Sequence, residues 1–306
     1  MPKLSISRSI NINAPKEKII GVVSDFHQWQ PWSPWLIMEE GVKVTVDPEK
    51  KYYKWEGNRV GSGEMQITNE TDARVDYDLT FLTPFKSHAK IAFEVQDTGE
   101  VSKVTWHMDS SLPFFMFWMK KMMTAFLESD YDRGLLMLKE YIEEGKVSSK
   151  LEMKGENEFS GVKYIGITTS TGTETLDTAM EKDITRLSDW FREKNIETAG
   201  NPFSIYHKWD MVKKQATYTS AFPVREIPSS VDDGFVTGEI PAQKVFTVRH
   251  IGPYRYLGNL WGFGENLKRS KVFKINKKTH PFETYVNTPD EVSENDLITE
   301  VHFGVK

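Results

Sequence analysis

A single carboxylate set among aromatic residues is the feature of this sequence with the clearest chemical potential. Glu283 lies in the segment PFETYVNTP (Pro281–Pro289), with Phe282 directly before it and Tyr285 two residues after it. The faces of aromatic rings attract organic cations, and a carboxylate adds a charge of the opposite sign. The sequence therefore predicts a binding site for a cationic or hydroxylated organic ligand around Glu283.

The segment Val245–Trp261 (VFTVRHIGPYRYLGNLW) is expected to supply further walls of this site. It begins with the alternating pattern of a strand, and Gly252-Pro253 then ends that strand. A tyrosine-rich helix is expected to begin near Tyr254. We therefore expect Tyr254 and Trp261 to lie close to Glu283.

The residues after position 159 contain an internal repeat with a period of roughly eighty residues. Three pairs of segments match: Val162–Ser170 with Gln243–Ile251, Asn201–Asp210 with His280–Asp290, and Ala216–Val224 with Leu297–Val305. Each half is expected to fold as strand, helix, strand and strand, and the two halves are expected to share one sheet. Ser204 stands at the position equivalent to Glu283, so only one half carries the charge.

Two other interpretations of Glu283 stay open at this point. A glutamate on a strand is usually a solvated surface residue. Alternatively, Arg249, His250 or Arg255 could pair with the carboxylate and neutralise it.

Length and composition indicate two globular domains without strong charge bias. The chain has 306 residues, of which 39% are hydrophobic and 12% aromatic, and its formal net charge is −5. This content suffices for two packed cores, and acidic and basic residues are mixed in both halves. Because neither half has a basic surplus, we expect no direct nucleic-acid partner.

Several other classes of site and location are not expected. The sequence contains no cysteine, which excludes disulfides and thiolate metal sites, and no cofactor or metal is expected. The amino-terminal segment has no apolar run of the kind found in signal peptides, and the longest apolar stretch is too short to span a bilayer. We therefore expect a cytoplasmic protein with a small-molecule ligand and no membrane partner.

The first half resembles the SRPBCC superfamily, which is START-like and polyketide-cyclase-like. The resemblance is carried by ISRSININAPKEKIIGVVSDFHQWQPWSPW, RVGSGEMQI, VTWHMD and ESDYDRGLLMLKEYIEE. It implies a helix-grip fold, in which a curved antiparallel sheet is followed by a long carboxy-terminal helix, at residues 1–147. It also implies a deep cavity that usually holds an apolar ligand, although the fold itself implies no particular chemistry.

Five aromatic and methionine residues are expected to border that cavity: Trp106, Met108, Trp118, Met119 and Met122. Flexible, polarizable methionines suit a site that adapts to its contents. The alternative is that these side chains simply fill the core between helix and sheet.

Residues 148–158 are polar and show no periodic apolar face, so we predict a linker there. Residues 159–306 resemble the gyrase-inhibitor-like (GyrI-like) effector-binding domain, which also forms the sensor part of some transcription regulators. The resemblance is carried by VRHIGPYRYLGNLW, PFETYVNTPD and LITEVHFGVK. The predicted architecture is thus α+β, a helix-grip domain followed by a duplicated βαββ domain.

The second resemblance implies a ligand groove in which Glu283 is the recognition carboxylate. Its walls are expected to include Tyr254, Trp261 and Tyr285, and the first repeat would add Tyr164, Tyr206, Trp209 and Tyr218. Regulators of this type carry a helix-turn-helix module, and none is readable here, which puts direct transcriptional control in doubt.

Three hypotheses for function follow. The first is a sensor or carrier with two ligand compartments, one apolar and one aromatic and acidic. The second is a hydrolase or cyclase in which Glu283 acts as general base, although no further catalytic residue is identified. The third is a protein-interaction module, which a large exposed apolar patch would favour.

Overall fold

The computed structural model describes residues 3–49, 51–97 and 99–306, apart from the side chains of Phe114 and Phe115. The chain divides into two compact units, Met1–Ser148 and Ser149–Lys306. Each unit combines one antiparallel sheet with a small number of helices, which confirms the predicted α+β class.

The described part of the first unit forms a single antiparallel sheet. Its strands are β1 (Lys3–Ile12), β2 (Lys43–Val46), β3 (Tyr52–Glu56), β4 (Ser62–Glu70), β5 (Arg74–Thr83), β6 (Ser87–Asp97) and β7 (Ser102–Ser111). They lie in the order β1-β7-β6-β5-β4-β3-β2. Strands β2 to β7 are joined as successive hairpins, and β1 closes the order by pairing with β7 along its full length.

Two α-helices cover this sheet, α1 (Lys16–Val23) and α2 (Lys120–Glu144). Helix α2 contacts β1. Its buried face includes Tyr131, Leu135, Leu138 and Ile142, spaced by three or four residues as one face of a helix requires. The helix ends at Gly145, which takes the left-handed conformation with φ of 77° that favours glycine. The long helix predicted to end the first domain is therefore present.

The core of the first unit is rich in packed aromatic rings. Trp106 on β7 stacks on Phe93 with ring centroids 4.8 Å apart, and on Tyr131 of α2 at 4.0 Å. Trp29 and Trp32, from the proline-rich loop after α1, contact the same indole ring edge-on at 6.5 and 6.0 Å. These rings therefore tie the loop and the long helix to the sheet.

The second unit contains one larger antiparallel sheet, and all its residues are described. Its strands are β8 (Lys150–Phe159), β9 (Val162–Gly172), β10 (Phe203–Asp210), β11 (Gln215–Val224), β12 (Val236–Ile240), β13 (Gln243–Ile251), β14 (Phe282–Tyr285) and β15 (Ile298–Gly304). Two α-helices accompany them, α3 (Leu176–Glu193) and α4 (Leu257–Arg269). The strand order is β12-β9-β11-β10-β14-β15-β13-β8.

The element order strand, helix, strand and strand occurs twice in this unit. It is β9-α3-β10-β11 first and β13-α4-β14-β15 second. The inner strands β10 and β14 pair with each other at the centre of the sheet. The sheet order reads the same from either edge once each strand is replaced by its counterpart, as the duplicated βαββ architecture predicts.

The segment predicted as a linker, residues 148–158, is mostly strand. Strand β8 pairs with β13 along its whole length, from Gln243 opposite Phe159 to Ile251 opposite Lys150. None of the residues of β8 is buried, because it lies at the edge of the sheet, and its sequence KLEMKGENEF therefore lacks an apolar face. Among the described residues, no helix is both long and apolar enough to cross a bilayer.

Candidate functional site

Glu283 is at the centre of a buried hydrogen-bond cluster in the second unit. Its side chain is 1% exposed. The indole Nε1 of Trp261 donates to its Oε2 at 2.7 Å, and the hydroxyl of Tyr285 donates to its Oε1 at 2.8 Å. The Tyr206 side chain also faces the carboxylate and favours its charged form. The solvated-surface interpretation of Glu283 is therefore wrong.

Strand geometry and helix packing bring these donors together. Glu283 and Tyr285 are two residues apart on β14, so their side chains point to the same face of the sheet. Ser204 on β10 pairs directly with Glu283, which places Tyr206 on that face as well. Trp261 reaches the cluster from α4, and its ring lies edge-on to that of Tyr206 at 4.7 Å.

Burial governs the electrostatics of the cluster. It raises the pKa of Glu283 above its usual value, while the hydrogen bonds from Trp261, Tyr285 and Tyr206 act in the opposite direction and reduce the rise. Burial, and then the nearby Glu283 charge, raise the pKa of Tyr206 and of Tyr285 well above 10. Both phenols therefore remain neutral donors at physiological pH.

None of the cations considered from sequence neutralises Glu283. Arg249 binds Glu300 with its Nη2 2.6 Å from Oε1, and Arg255 binds Glu294 at 3.0 Å. His250 Nε2 lies 3.0 Å from the Ser149 hydroxyl. Within residues 149–306, all of them described, no lysine, arginine or histidine lies within ion-pair distance of Glu283.

Two more of the predicted walls border the cluster. The ring of Tyr254 lies 5.5 Å from that of Tyr285, and burial raises the pKa of Tyr254 to about 12. Trp209 lies at the outer edge, 46% exposed, with its ring 6.0 Å from that of Tyr206. Tyr254, Trp261, Tyr285, Tyr206 and Trp209 are thus brought around Glu283.

Tyr164 lies on the other face of the sheet. Its ring packs edge-on against Phe203 at 5.7 Å, within an apolar cluster that includes Phe282. Phe203 and Phe282 each precede a residue of the central pair, Ser204 and Glu283, so strand alternation turns them away from the carboxylate. The prediction that Tyr164 lines the Glu283 site is therefore wrong.

Helix α3 contributes residues that the sequence did not single out. Met180 packs with Tyr206, Tyr218 and Trp261, and its sulfur lies 3.9 Å from the Tyr206 hydroxyl. Asp177, exposed in the first turn of α3, adds a negative charge that also raises the pKa of Glu283. The position of Met180 over Tyr206 depends on tertiary packing, which the sequence does not show.

The predicted residues of the first domain do not form one group. Trp106 and Met108 are 2% and 6% exposed, and the Trp106 ring is packed between other rings. In contrast, Trp118 is 69% and Met122 38% exposed, and Met119 is half-buried. The structure thus places Trp106 in the core and Trp118 at the surface, which is not the arrangement of a common cavity wall.

The structure is that of a two-domain protein, and its second sheet is built around a buried carboxylate. Comparison with known families agrees. Residues 3–143 match the family "Polyketide cyclase / dehydrase and lipid transport", and residues 156–306 match the family "GyrI-like small molecule binding domain", which supports a ligand-binding role. This confirms both resemblances deduced from the sequence. A search of curated protein sequences found no match.

Comparison with solved structures found weaker likenesses. A cryo-EM structure of an EcmrR–DNA complex is 15% identical, covers 63% of this chain and 69% of its own chain, and gives a TM-score of 0.44. The EcmrR carboxy-terminal domain is 15% identical over 52% of this chain and 98% of its own, with a TM-score of 0.39. An Aha1 dimer from Colwellia psychrerythraea is 18% identical over 47% of this chain and 98% of its own, with a TM-score of 0.35. These scores are too low for the likenesses to bear on function.

Proposed function

We propose that the protein is a cytoplasmic sensor or carrier whose second domain binds organic cations with planar apolar bodies at Glu283. The observation that carries this proposal is a buried carboxylate enclosed by aromatic donors and without a cationic partner among residues 149–306. Burying an unpaired charge costs several kcal/mol, roughly, unless a counter-charge or strong hydrogen bonds compensate. A bound cation would supply the missing counter-charge.

Aromatic walls and charge together define the ligand class. A cation over aromatic faces gains roughly 0.5–2 kcal/mol, and a hydrogen bond to a charged group contributes about 1.5–3 kcal/mol. The rings of Tyr206, Trp261, Tyr254 and Tyr285 supply the faces, and Glu283 supplies the charge. Because the indole of Trp261 already donates to Glu283, a cation that binds must either share the carboxylate with this indole or displace it.

A matched pair of probes tests the proposal. Tetraphenylphosphonium and tetraphenylborate have nearly the same outline and opposite charges, so titration calorimetry with both separates charge from shape. We expect the cation to bind more tightly. Glu283→Gln keeps the side-chain shape and should weaken cation binding by about tenfold or more, which is about 1.4 kcal/mol. Ser204→Ala, at the opposite position on β10, is the control and should bind the cation normally.

If both probes bind equally well, or if Glu283→Gln binds the cation like the wild type, Glu283 is not the charged anchor.

The first domain is proposed as a second, apolar compartment. Its test is the binding of a fluorescent fatty acid to the full chain, and a failure to bind would contradict this second compartment.

One observation favours a second candidate function, hydrolysis with Glu283 as general base. Its raised pKa moves it towards the range in which a carboxylate accepts a proton near neutral pH, and Tyr285 lies within hydrogen-bond distance of it. A Glu283→Gln protein that keeps neutral-ligand binding but loses a hydrolytic activity would favour this enzyme over the sensor or carrier.

A further inference from the structure

The first half of α2 and the turn before it present an apolar stripe at the surface. Trp118, Met122 and Phe126 are spaced by four residues and are 69%, 38% and 39% exposed. The buried residues of α2, all of whose side chains are described, run from Tyr131 to Ile142. The stripe therefore lies on the part of the helix that precedes its packed part.

Another exposed aromatic residue lies at the same end of the sheet. Phe85, in the turn between β5 and β6, is 78% exposed. The Ser110 hydroxyl near the end of β7 donates to the carbonyl of His88 near the start of β6, so the two strands share this end. The chain leaves β7 here and enters α2 through a short 3-10 helix, Phe114–Met119, which carries Trp118. Phe85 and the stripe together are called the end patch.

Lysines flank the end patch. Lys86 follows Phe85, and Lys120 and Lys121 separate Trp118 from Met122. All three are exposed, and none forms an ion pair with any residue in the described part of the chain. From Leu112 to Leu127 the sequence contains no acidic residue. The surface is thus apolar and positively charged at once.

We propose that the end patch is a docking surface for an anionic lipid bilayer. Aromatic side chains of amphipathic segments insert at the boundary between headgroups and acyl chains, and Trp is favoured there. Lysines beside such a segment are attracted to anionic headgroups, each by roughly a factor of five in affinity at physiological salt. The combination of exposed rings with unpaired lysines distinguishes this partner from an apolar protein surface, which the lysines would not favour.

This inference changes one expectation from the sequence. A membrane partner was not expected because no segment is long enough to span a bilayer. Peripheral docking needs no spanning segment, since it requires only an apolar surface a few side chains wide and complementary charge.

Vesicle co-sedimentation of the full chain tests the proposal. We expect binding to vesicles of phosphatidylcholine that contain phosphatidylserine, weak binding to phosphatidylcholine alone, and loss of binding as salt is raised. The double variant Lys120→Glu/Lys121→Glu should reduce affinity at least tenfold, and Trp118→Ala should reduce it severalfold.

Matched variants in the second domain provide the controls. Lys277→Glu/Lys278→Glu makes the same charge change at two adjacent exposed lysines, and Val272→Ala shortens another exposed apolar side chain. Both should bind vesicles like the wild type. Binding that is absent, or equally reduced in the test and control variants, would overturn the proposal. A wild-type dimer that Trp118→Ala converts to a monomer, without any vesicle binding, would instead assign the patch to self-association.

Discussion

Glu283 and Ser204 lie directly opposite each other on the two central strands of the second sheet. Both are fully buried, and they occupy corresponding positions in the two halves of the domain. The Ser204 hydroxyl is 3.4 Å from that of Tyr285, which in turn donates to Glu283. The duplicated framework thus surrounds one charged and one neutral side chain, so a cation is expected to bind off the centre, towards β14.

The affinity of the second domain for organic cations should rise with pH. Burial raises the pKa of Glu283, so at low pH the site holds a neutral carboxylic acid, which attracts a cation less. As pH rises through this raised pKa, the carboxylate forms and affinity increases. The other titratable groups that face Glu283 are Asp177, Tyr206, Tyr254 and Tyr285, and the tyrosines stay neutral in this range because their pKa values are raised.

Calorimetric titration of tetraphenylphosphonium from pH 4 to 8 measures this dependence, with Glu283→Gln as the comparison. The variant should show a much flatter profile. Equal pH dependence in the wild type and the variant would mean that another group controls binding.

Replacing Trp261 with Phe should move that pH profile upward. The indole donates a 2.7 Å hydrogen bond to Glu283 and stabilises the charged form. Its loss removes about 1.5–3 kcal/mol of charge-assisted hydrogen bonding, so the pKa of Glu283 should rise further. The midpoint of cation binding against pH should rise accordingly.

Trp209→Phe is the matched control, because its indole donates to Met211 rather than to Glu283. It should leave the midpoint unchanged even if it alters affinity. An unshifted midpoint in Trp261→Phe would show that the indole does not stabilise the carboxylate in solution.

The parts of this site that follow from strand alternation were predictable from the sequence, and the parts that follow from tertiary packing were not. Tyr285 lies two residues from Glu283 on the same strand, so the two side chains must point to the same face of the sheet. The prediction for Tyr164 is wrong because the sequence does not show which residues of different strands share a face of the sheet. That depends on the register with which the strands pair. Met180 was not among the predicted site residues, because only the packing of α3 places it over Tyr206.

The first domain illustrates the same limit. Its helix-grip order follows from the pattern of strands and one long helix. Trp106 and Trp118 were grouped because both are large and apolar, yet Trp106 is stacked in the core and Trp118 is exposed. Apolar character predicts that a residue is buried. It does not distinguish a residue of the core from a surface residue that contacts another molecule.

Glu39 is expected to stabilise the first domain through backbone contacts. Its carboxylate accepts hydrogen bonds from the backbone N–H groups of Asn58, Arg59 and Val60 at 2.8, 2.8 and 2.9 Å, and it is 6% exposed. Burial alone would raise the pKa of Glu39, but these three donors outweigh it, and the pKa is lowered. Glu39→Gln should lower the free energy of unfolding by about 1–3 kcal/mol at neutral pH.

The sign of the pH dependence follows from the lowered pKa. The contribution of Glu39 is complete above the ordinary glutamate pKa of the unfolded chain and is lost as pH falls through the lower pKa of the folded chain. The difference between wild type and Glu39→Gln should therefore shrink in acid, as measured by urea denaturation at several pH values. Glu40→Gln, at the exposed neighbouring position, should have little effect, and an equal loss in both variants would contradict the role given to Glu39.

The two units are expected to fold independently, but only if the second one keeps β8. A fragment of residues 149–306 retains the pairing of β8 with β13, in which Val245, Phe246 and Val248 are buried. A fragment of residues 160–306 turns β13 into an open edge strand next to that core. We expect the longer fragment to unfold in one cooperative thermal transition, and the shorter one to melt at a clearly lower temperature or to aggregate.

A fragment of residues 1–148 should also unfold cooperatively, since all the strands of its sheet lie within these residues. If the fragments of residues 149–306 and 160–306 were equally stable, β8 would be a dispensable extension and the boundary predicted from the sequence would be the better one.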